Sequence, residues 1–209
     1  MIQFREEDHT YWDGDKQLPS VTQILDILSY QEFGNIDKST LEYASRRGTA
    51  IHEATEALDL GFPADVDGET EPYVRAYMDF TRDYKPSWHG IEDIVYCDEY
   101  AGTADRHGTI GDMDVILDIK TVGSPNRLTY VKVCIQTYLY SMCLGYANPK
   151  LFALFLRKDG TYRLFDCLKW WKENMSIDLW TASSKLVKTY YFIQNLKKGN
   201  TDVRINNVN

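Results

Sequence analysis

Asp105, Asp118 and Lys120 are the residues of this chain whose types and spacing could do chemistry together. Asp105 closes the segment Gly102-Thr103-Ala104-Asp105. Asp118 opens Asp118-Ile119-Lys120-Thr121 after a gap of about one strand and one turn. Two carboxylates placed this way can hold a divalent cation through oxygen. An ammonium two residues from one of them can sit beside a water or a phosphate oxygen. The chemistry that this set could do is metal-dependent hydrolysis of a phosphodiester.

A strand must position them. Met113, Val115, Leu117 and Ile119 alternate with Asp112, Asp114, Asp118 and Lys120, with Ile116 as the exception. Period-two alternation predicts a half-buried strand over 112–121, with Asp118 and Lys120 pointing the same way. Residues 100–107 read as the preceding antiparallel strand, which brings Asp105 within reach. A helix beginning near Asn126 follows. Leu128, Val131, Ile135, Leu139 and Met142 form its core stripe, and Lys132, Gln136 and Tyr140 form a column beside it. An upstream helix contains Arg46-Arg47-Gly48-Thr49-Ala50-Ile51-His52, and it puts His52 and Glu56 on one face. Taken singly, each of these has a bland reading: wet strand charges, a helical histidine in ordinary packing, a Gln/Tyr pair that only packs.

Taken in order, they resemble a family. His52, then Gly102-Thr103-Ala104-Asp105, then Asp118-Ile119-Lys120-Thr121, then Gln136-Thr137-Tyr138-Leu139-Tyr140 is similar to the motif series of the RecB-type branch of the PD-(D/E)XK nuclease superfamily. Leu18-Pro19-Ser20-Val21-Thr22-Gln23-Ile24-Leu25 also resembles the Pro-Ser-Val-Thr segment of phage-type members and of the mitochondrial genome maintenance exonuclease. The resemblance covers roughly residues 9–157.

The resemblance implies an α/β fold: a mixed central β-sheet flanked by helices, a restriction-endonuclease-like core with N-terminal helical additions. It implies that Asp105, Asp118, the Ile119 carbonyl and His52 hold Mg²⁺ or Mn²⁺. An imidazole in the set suits Mn²⁺ better. Lys120 would position the water or neutralise the phosphate, with Gln136 and Tyr140 holding Lys120 or the scissile phosphate. Glu56 would orient the second nitrogen of His52, and Glu99 would be an outer acid.

It further implies a DNA exonuclease working on single strands or ends, in recombination, repair or genome processing, with a partner protein unknown. Ser20 and Thr22, Arg46 and Arg47, Arg127 and Lys132 are the expected backbone contacts, with Arg75, Lys85 and Arg106 behind them. Tyr11, Trp12, Tyr43, Tyr73, Tyr77 and Trp88 could stack on bases. The alternatives are a structure-specific endonuclease on the same fold and a nucleic-acid-binding module without catalysis. A carboxylate-metal hydrolase of small molecules is a third, weakened by the lack of an H-E-x-x-H motif.

Composition sets bounds. The chain has 209 residues, 44% hydrophobic and 13% aromatic, enough for one domain with a real core. The net charge of −8 disfavours tight nonspecific binding to duplex DNA, although it does not exclude a local basic groove. Cys97, Cys134, Cys143 and Cys167 are scattered without a C-x-x-C pair, which argues against a zinc site or a disulfide framework. They also lack the one upstream and three clustered downstream cysteines by which some members of the resembled family hold an iron–sulfur cluster, so no cluster is expected. No apolar run approaches a membrane span, and the N-terminus lacks a signal or transit pattern. These features predict no membrane partner and a cytoplasmic protein, in the host cytoplasm if phage-encoded.

The division expected is one domain over 1–209. An N-terminal hairpin and helices fill 1–90, the sheet core 91–167, a C-terminal helix 168–199 and a loose tail 200–209. Within it, 2–12 and 15–18 read as a hairpin around Asp13-Gly14. Ser20–Gln23 and Ser39–Glu42 read as capping boxes, the second opening a helix to about Leu60. Phe33-Gly34-Asn35 reads as a loop and 70–84 as a helix. Strands are expected over 91–99, 150–157 and 161–167, and a terminal helix over 176–198.

Overall fold

The structure, a computed structural model, describes residues 2–5, 7–29 and 38–202. The expected loop at Phe33-Gly34-Asn35 and most of the expected tail, 203–209, lie outside these residues.

The chain is α/β, built on a mixed five-stranded sheet flanked by helices. Three short antiparallel strands come first: β1 (Ile2–Arg5), β2 (Thr10–Asp13) and β3 (Lys16–Leu18). The expected hairpin at Asp13-Gly14 is the β2–β3 turn, with Gly14 at φ 58°. Residues 2–12 are not one strand, because a turn at 7–9 folds β1 back onto β2.

Next come α1 (Val21–Leu25), a 3-10 turn (Asp26–Ser29), α2 (Lys38–Asp59) and α3 (Glu71–Tyr84). The Ser20 capping box on α1 is formed in both directions: Gln23 N–H donates to Ser20 Oγ and Ser20 N–H to Gln23 Oε1, each at 3.0 Å. In α2, Ser39 already lies within the helix rather than at its cap.

The main sheet has the order β4 (Ser87–Tyr96), β5 (Ala101–Ile110), β6 (Met113–Lys120), β7 (Lys150–Leu156), β8 (Tyr162–Asp166). Only β6 and β7 are parallel. A parallel pair needs a crossover connection, and α4 (Arg127–Leu144) lies within it, capped by Asn126. Two helices close the chain. The first is α5 (Cys167–Asn174), so the single C-terminal helix expected over 168–199 is two. The second, α6 (Leu179–Asp202), runs through Gly199 rather than ending there.

Strand β6 corrects the half-wet reading. Val115, Leu117 and Ile119 pack with Ile51, Tyr77 and Phe80 of α2 and α3. Ile116, on the other face, packs with residues of α1, α4, α5 and α6. The sheet is covered on both faces, as strands beside a parallel crossover are. Ile116, the exception in the alternation, is the residue that belongs to the second core. Asp118 and Lys120 are thus chemistry placed inside a covered sheet rather than charges on a wet one. Among the described residues, no helix is long and apolar enough to cross a membrane.

Candidate active site

The site begins where two strands part. The β5–β6 pairing runs from Ile110↔Met113 to Arg106↔Leu117 and stops there. Strand β5 stays paired with β4 back to Ala101↔Tyr96, and β6 stays paired with β7 on to Lys120↔Phe155. The next cross-strand pair would be Asp105 with Asp118, so the sheet forks at the two acids. Forking strips Ile119 of its β5 partner, and a buried backbone group must find another. The Ile119 N–H donates to Asp105 Oδ2 at 2.6 Å, and the Ile119 carbonyl lies 3.2 Å from His52 Nε2.

His52 arrives from α2. Its Nδ1 lies 3.1 Å from Glu92 Oε1 and 3.8 Å from Asp105 Oδ2. Burial lowers the affinity of the ring for a proton. The Asp105 charge and the Glu92 hydrogen bond outweigh burial and raise its pKa to about 9. His52, Glu92 and Asp105 offer ligand atoms that all lie within 4.8 Å of one another. Asp118 does not belong to that compact set; it is turned to Lys120.

Asp118 is 1% exposed, and burial raises its pKa to about 6. Lys120 Nζ sits 2.9 Å from its Oδ1 and 2.7 Å from its Oδ2. Oδ2 is buried, and the Lys120 ammonium is its ion-pair partner. Burial works against the Lys120 charge, and the Asp118 and Asp105 carboxylates hold its pKa up nonetheless.

Gln136 and Tyr140 divide the work expected of them. Gln136 Nε2 donates to the Tyr140 hydroxyl at 3.2 Å. Tyr140 is 3% exposed and lies behind Gln136. Gly102 makes that burial possible, because a Cβ there would meet Tyr140 Cε1 at 2.6 Å. Gln136 itself faces a cleft of about 540 Å³ with Lys120, Thr22, Asp26, Asn126, Thr129 and Lys132.

Several expected residues sit elsewhere. Glu56 does not orient His52, because Glu92 holds Nδ1. Glu99 is exposed on the β4–β5 turn and lines a separate cavity of about 220 Å³ between α4 and α6. The Ser20 hydroxyl is committed to capping α1, whereas Thr22 lines the cleft. Lys132 also lines it and donates to Ser29 Oγ. Arg127 donates to the Asn174 carbonyl at 2.9 Å. Arg46 and Arg47 line another recess, with Tyr43 and Thr70. Tyr11, Tyr73 and Tyr77 are core residues, at most 6% exposed, and cannot stack on bases. Arg106 is fully buried and cannot touch a phosphate backbone.

Glu92 is the site residue that the pattern did not flag. It sits within β4 at φ 47°, left-handed backbone that costs a non-glycine residue about 1–2 kcal/mol. Such strain persists where the surroundings over-determine it, typically at functional positions. Here the Glu92 carboxylate is held by both His52 and Arg106.

The donor set fits a divalent cation: buried carboxylate oxygens, a backbone carbonyl and one imidazole. The sharpest sign of fit is that ligand atoms of His52, Glu92 and Asp105 all lie within 4.8 Å of one another.

No family model matches the chain, and no curated protein does. A solved structure described as "Crystal structure of SSO0001" is similar over 88% of this chain and 79% of its own, at 13% identity and a TM-score of 0.42. A likeness that distant carries nothing about activity.

Proposed function

We propose that this protein is a divalent-metal-dependent phosphodiesterase acting on DNA, an exonuclease working on single strands or ends, with a place in recombination, repair or genome processing. The observation that carries this reading is the fork. His52, Glu92, Asp105 and the Ile119 backbone meet where β5 and β6 separate, with the Asp118–Lys120 pair next along β6.

Asp105, Asp118, the Ile119 carbonyl and His52 would hold Mg²⁺ or Mn²⁺. A cation so held supplies Lewis acidity toward the phosphate and lowers the pKa of a water. Lys120 holds an ammonium at the mouth of the cleft, where it neutralises a phosphate oxygen or aims the water. Gln136, braced by Tyr140, offers its amide to the same cleft. Glu92 fixes the ring of His52, as carboxylates do for ligating imidazoles. Thr22 and Lys132 line the cleft walls as contacts for the sugar–phosphate chain.

The cleft also supports a single strand over a duplex. It lies between α1 and α4, and the chain as a whole carries a net charge of −8. The test uses linear and circular single-stranded DNA with and without Mn²⁺. Metal-dependent shortening of the linear form, with the circle intact, is the expected result. Cutting of the circle would make the protein an endonuclease, and no cleavage would leave a binding module.

A further inference from the structure

A buried arginine stands behind the histidine. Arg106 is fully buried, with donors pointed at four acceptors. Its Nε donates to Asp59 Oδ2 at 2.6 Å. One terminal nitrogen donates to Glu92 Oε1 at 3.1 Å and to the Asp105 carbonyl at 2.6 Å. The other donates to Thr55 Oγ1 at 3.2 Å. Asp59 Oδ2 also accepts the Tyr77 hydroxyl. The chain of contacts therefore runs from α3 through Asp59, Arg106 and Glu92 to His52.

Burying a guanidinium is expensive, and a buried ion pair is a poor source of net stability. What it fixes is geometry. The planar fork of arginine sets several partners at fixed angles, which an ammonium cannot do. Here the partners are the carboxylate on His52 Nδ1 and the backbone of Asp105. Both belong to the candidate metal site.

We propose that Arg106 is the positioning residue of this site: anchored by Asp59, it holds Glu92, and through Glu92 it fixes the ring of His52 with Nε2 facing the fork. This rests on the metal-dependent reading given above. Arg106 touches no substrate. Its effect passes through the orientation of His52 and therefore through metal affinity.

The test uses Asp59→Asn, Arg106→Lys and Glu92→Gln in the full chain. Mn²⁺ affinity is read by electron paramagnetic resonance, and the His52 ring nitrogens by ¹⁵N NMR on metal-free protein. Each variant is expected to bind Mn²⁺ roughly tenfold or more weakly and to shift the His52 ring signals. Asp59→Asn combined with Glu92→Gln should lose little more than either alone, since both break one chain.

Lower thermal stability with unchanged Mn²⁺ affinity and unchanged His52 signals would overturn the proposal and leave Arg106 a purely structural residue. Should Arg106→Lys not fold, Asp59→Asn carries the same two readouts. Should wild-type protein bind no Mn²⁺, the metal reading fails by itself. The His52 signals then still decide whether Arg106 positions the ring.

Discussion

The Asp105 carboxylate accepts the backbone N–H of Ile119 at 2.6 Å, at the point where β5 and β6 stop pairing. One side chain thereby does what a strand would have done. It also carries charge to the place where the strand left a gap. The His52 ring takes the carbonyl of the same residue at 3.2 Å. Both backbone polar groups of one residue, Ile119, are thus used to assemble the site.

Lys120 follows from that placement. Its ammonium lies within 2.9 Å of both Asp118 oxygens and borders the cleft. Lys120→Ala is expected to abolish cleavage while leaving DNA binding largely intact, measured by turnover beside fluorescence anisotropy. Vigorous turnover by the variant would remove Lys120 from the chemistry.

Gly102 is held by sterics. Gly102→Ala places a methyl group 2.6 Å from Tyr140 Cε1, which pushes Tyr140 and, through it, Gln136. We expect a loss of about 1–3 kcal/mol in unfolding free energy and a drop in activity larger than that of Thr22→Ala. Denaturant melts and initial rates check both.

Arg127 and Lys132 separate by role. Arg127 ties α4 to the end of α5 through the Asn174 carbonyl, whereas Lys132 lines the cleft. Arg127→Ala is expected to cost about 1 kcal/mol of stability and little DNA affinity. Lys132→Ala is expected to weaken DNA binding and to lower its salt dependence by about one charge. Anisotropy titrations over a range of salt concentrations test the pair together.

The pH dependence has a definite sign. His52 is raised to about 9 and Asp118 to about 6 in the metal-free protein. A raised pKa means that the folded chain holds the proton longer than the unfolded chain does. The contribution from His52 is complete below its ordinary 6.5 and is lost as pH rises toward 9. That from Asp118 is complete below 3.8 and is lost as pH rises toward 6. Metal-free Tm should therefore fall across both windows. Mn²⁺ must displace the His52 proton, so its affinity should climb from pH 6.5 to 9. Calorimetry in buffers of different ionisation enthalpy would read the released proton, and a flat affinity would contradict the assignment.

The order and type of the central elements were legible because period-two and period-four patterns separate strands from helices. The cover over the second face of β6 was written only in Ile116, a single break in an alternation. Glu92 was not legible. In the run Ile91-Glu92-Asp93 it looks like any strand acid, and its left-handed backbone carries no glycine or asparagine marker. Arg106 reads as a candidate backbone contact because most arginines are exposed; only the tertiary position of Asp59 and Glu92 shows why it is buried. Glu56 shares a helix face with His52, but the acid that reaches Nδ1 comes from β4, a long-range contact that helical spacing cannot see. Half of the aromatics offered for stacking are core residues, since an aromatic at a strand or helix position carries no sign of which face it takes.

The most direct measurement is degradation of 5′- and 3′-end-labelled single-stranded DNA by the purified protein. It is run with Mn²⁺, Mg²⁺ or chelator, beside a circular single strand and the Asp105→Asn and Lys120→Ala variants. The account predicts metal-dependent shortening of the linear strands, lost in both variants, with the circle untouched. Equal degradation in chelator, or full activity of Asp105→Asn, would contradict it.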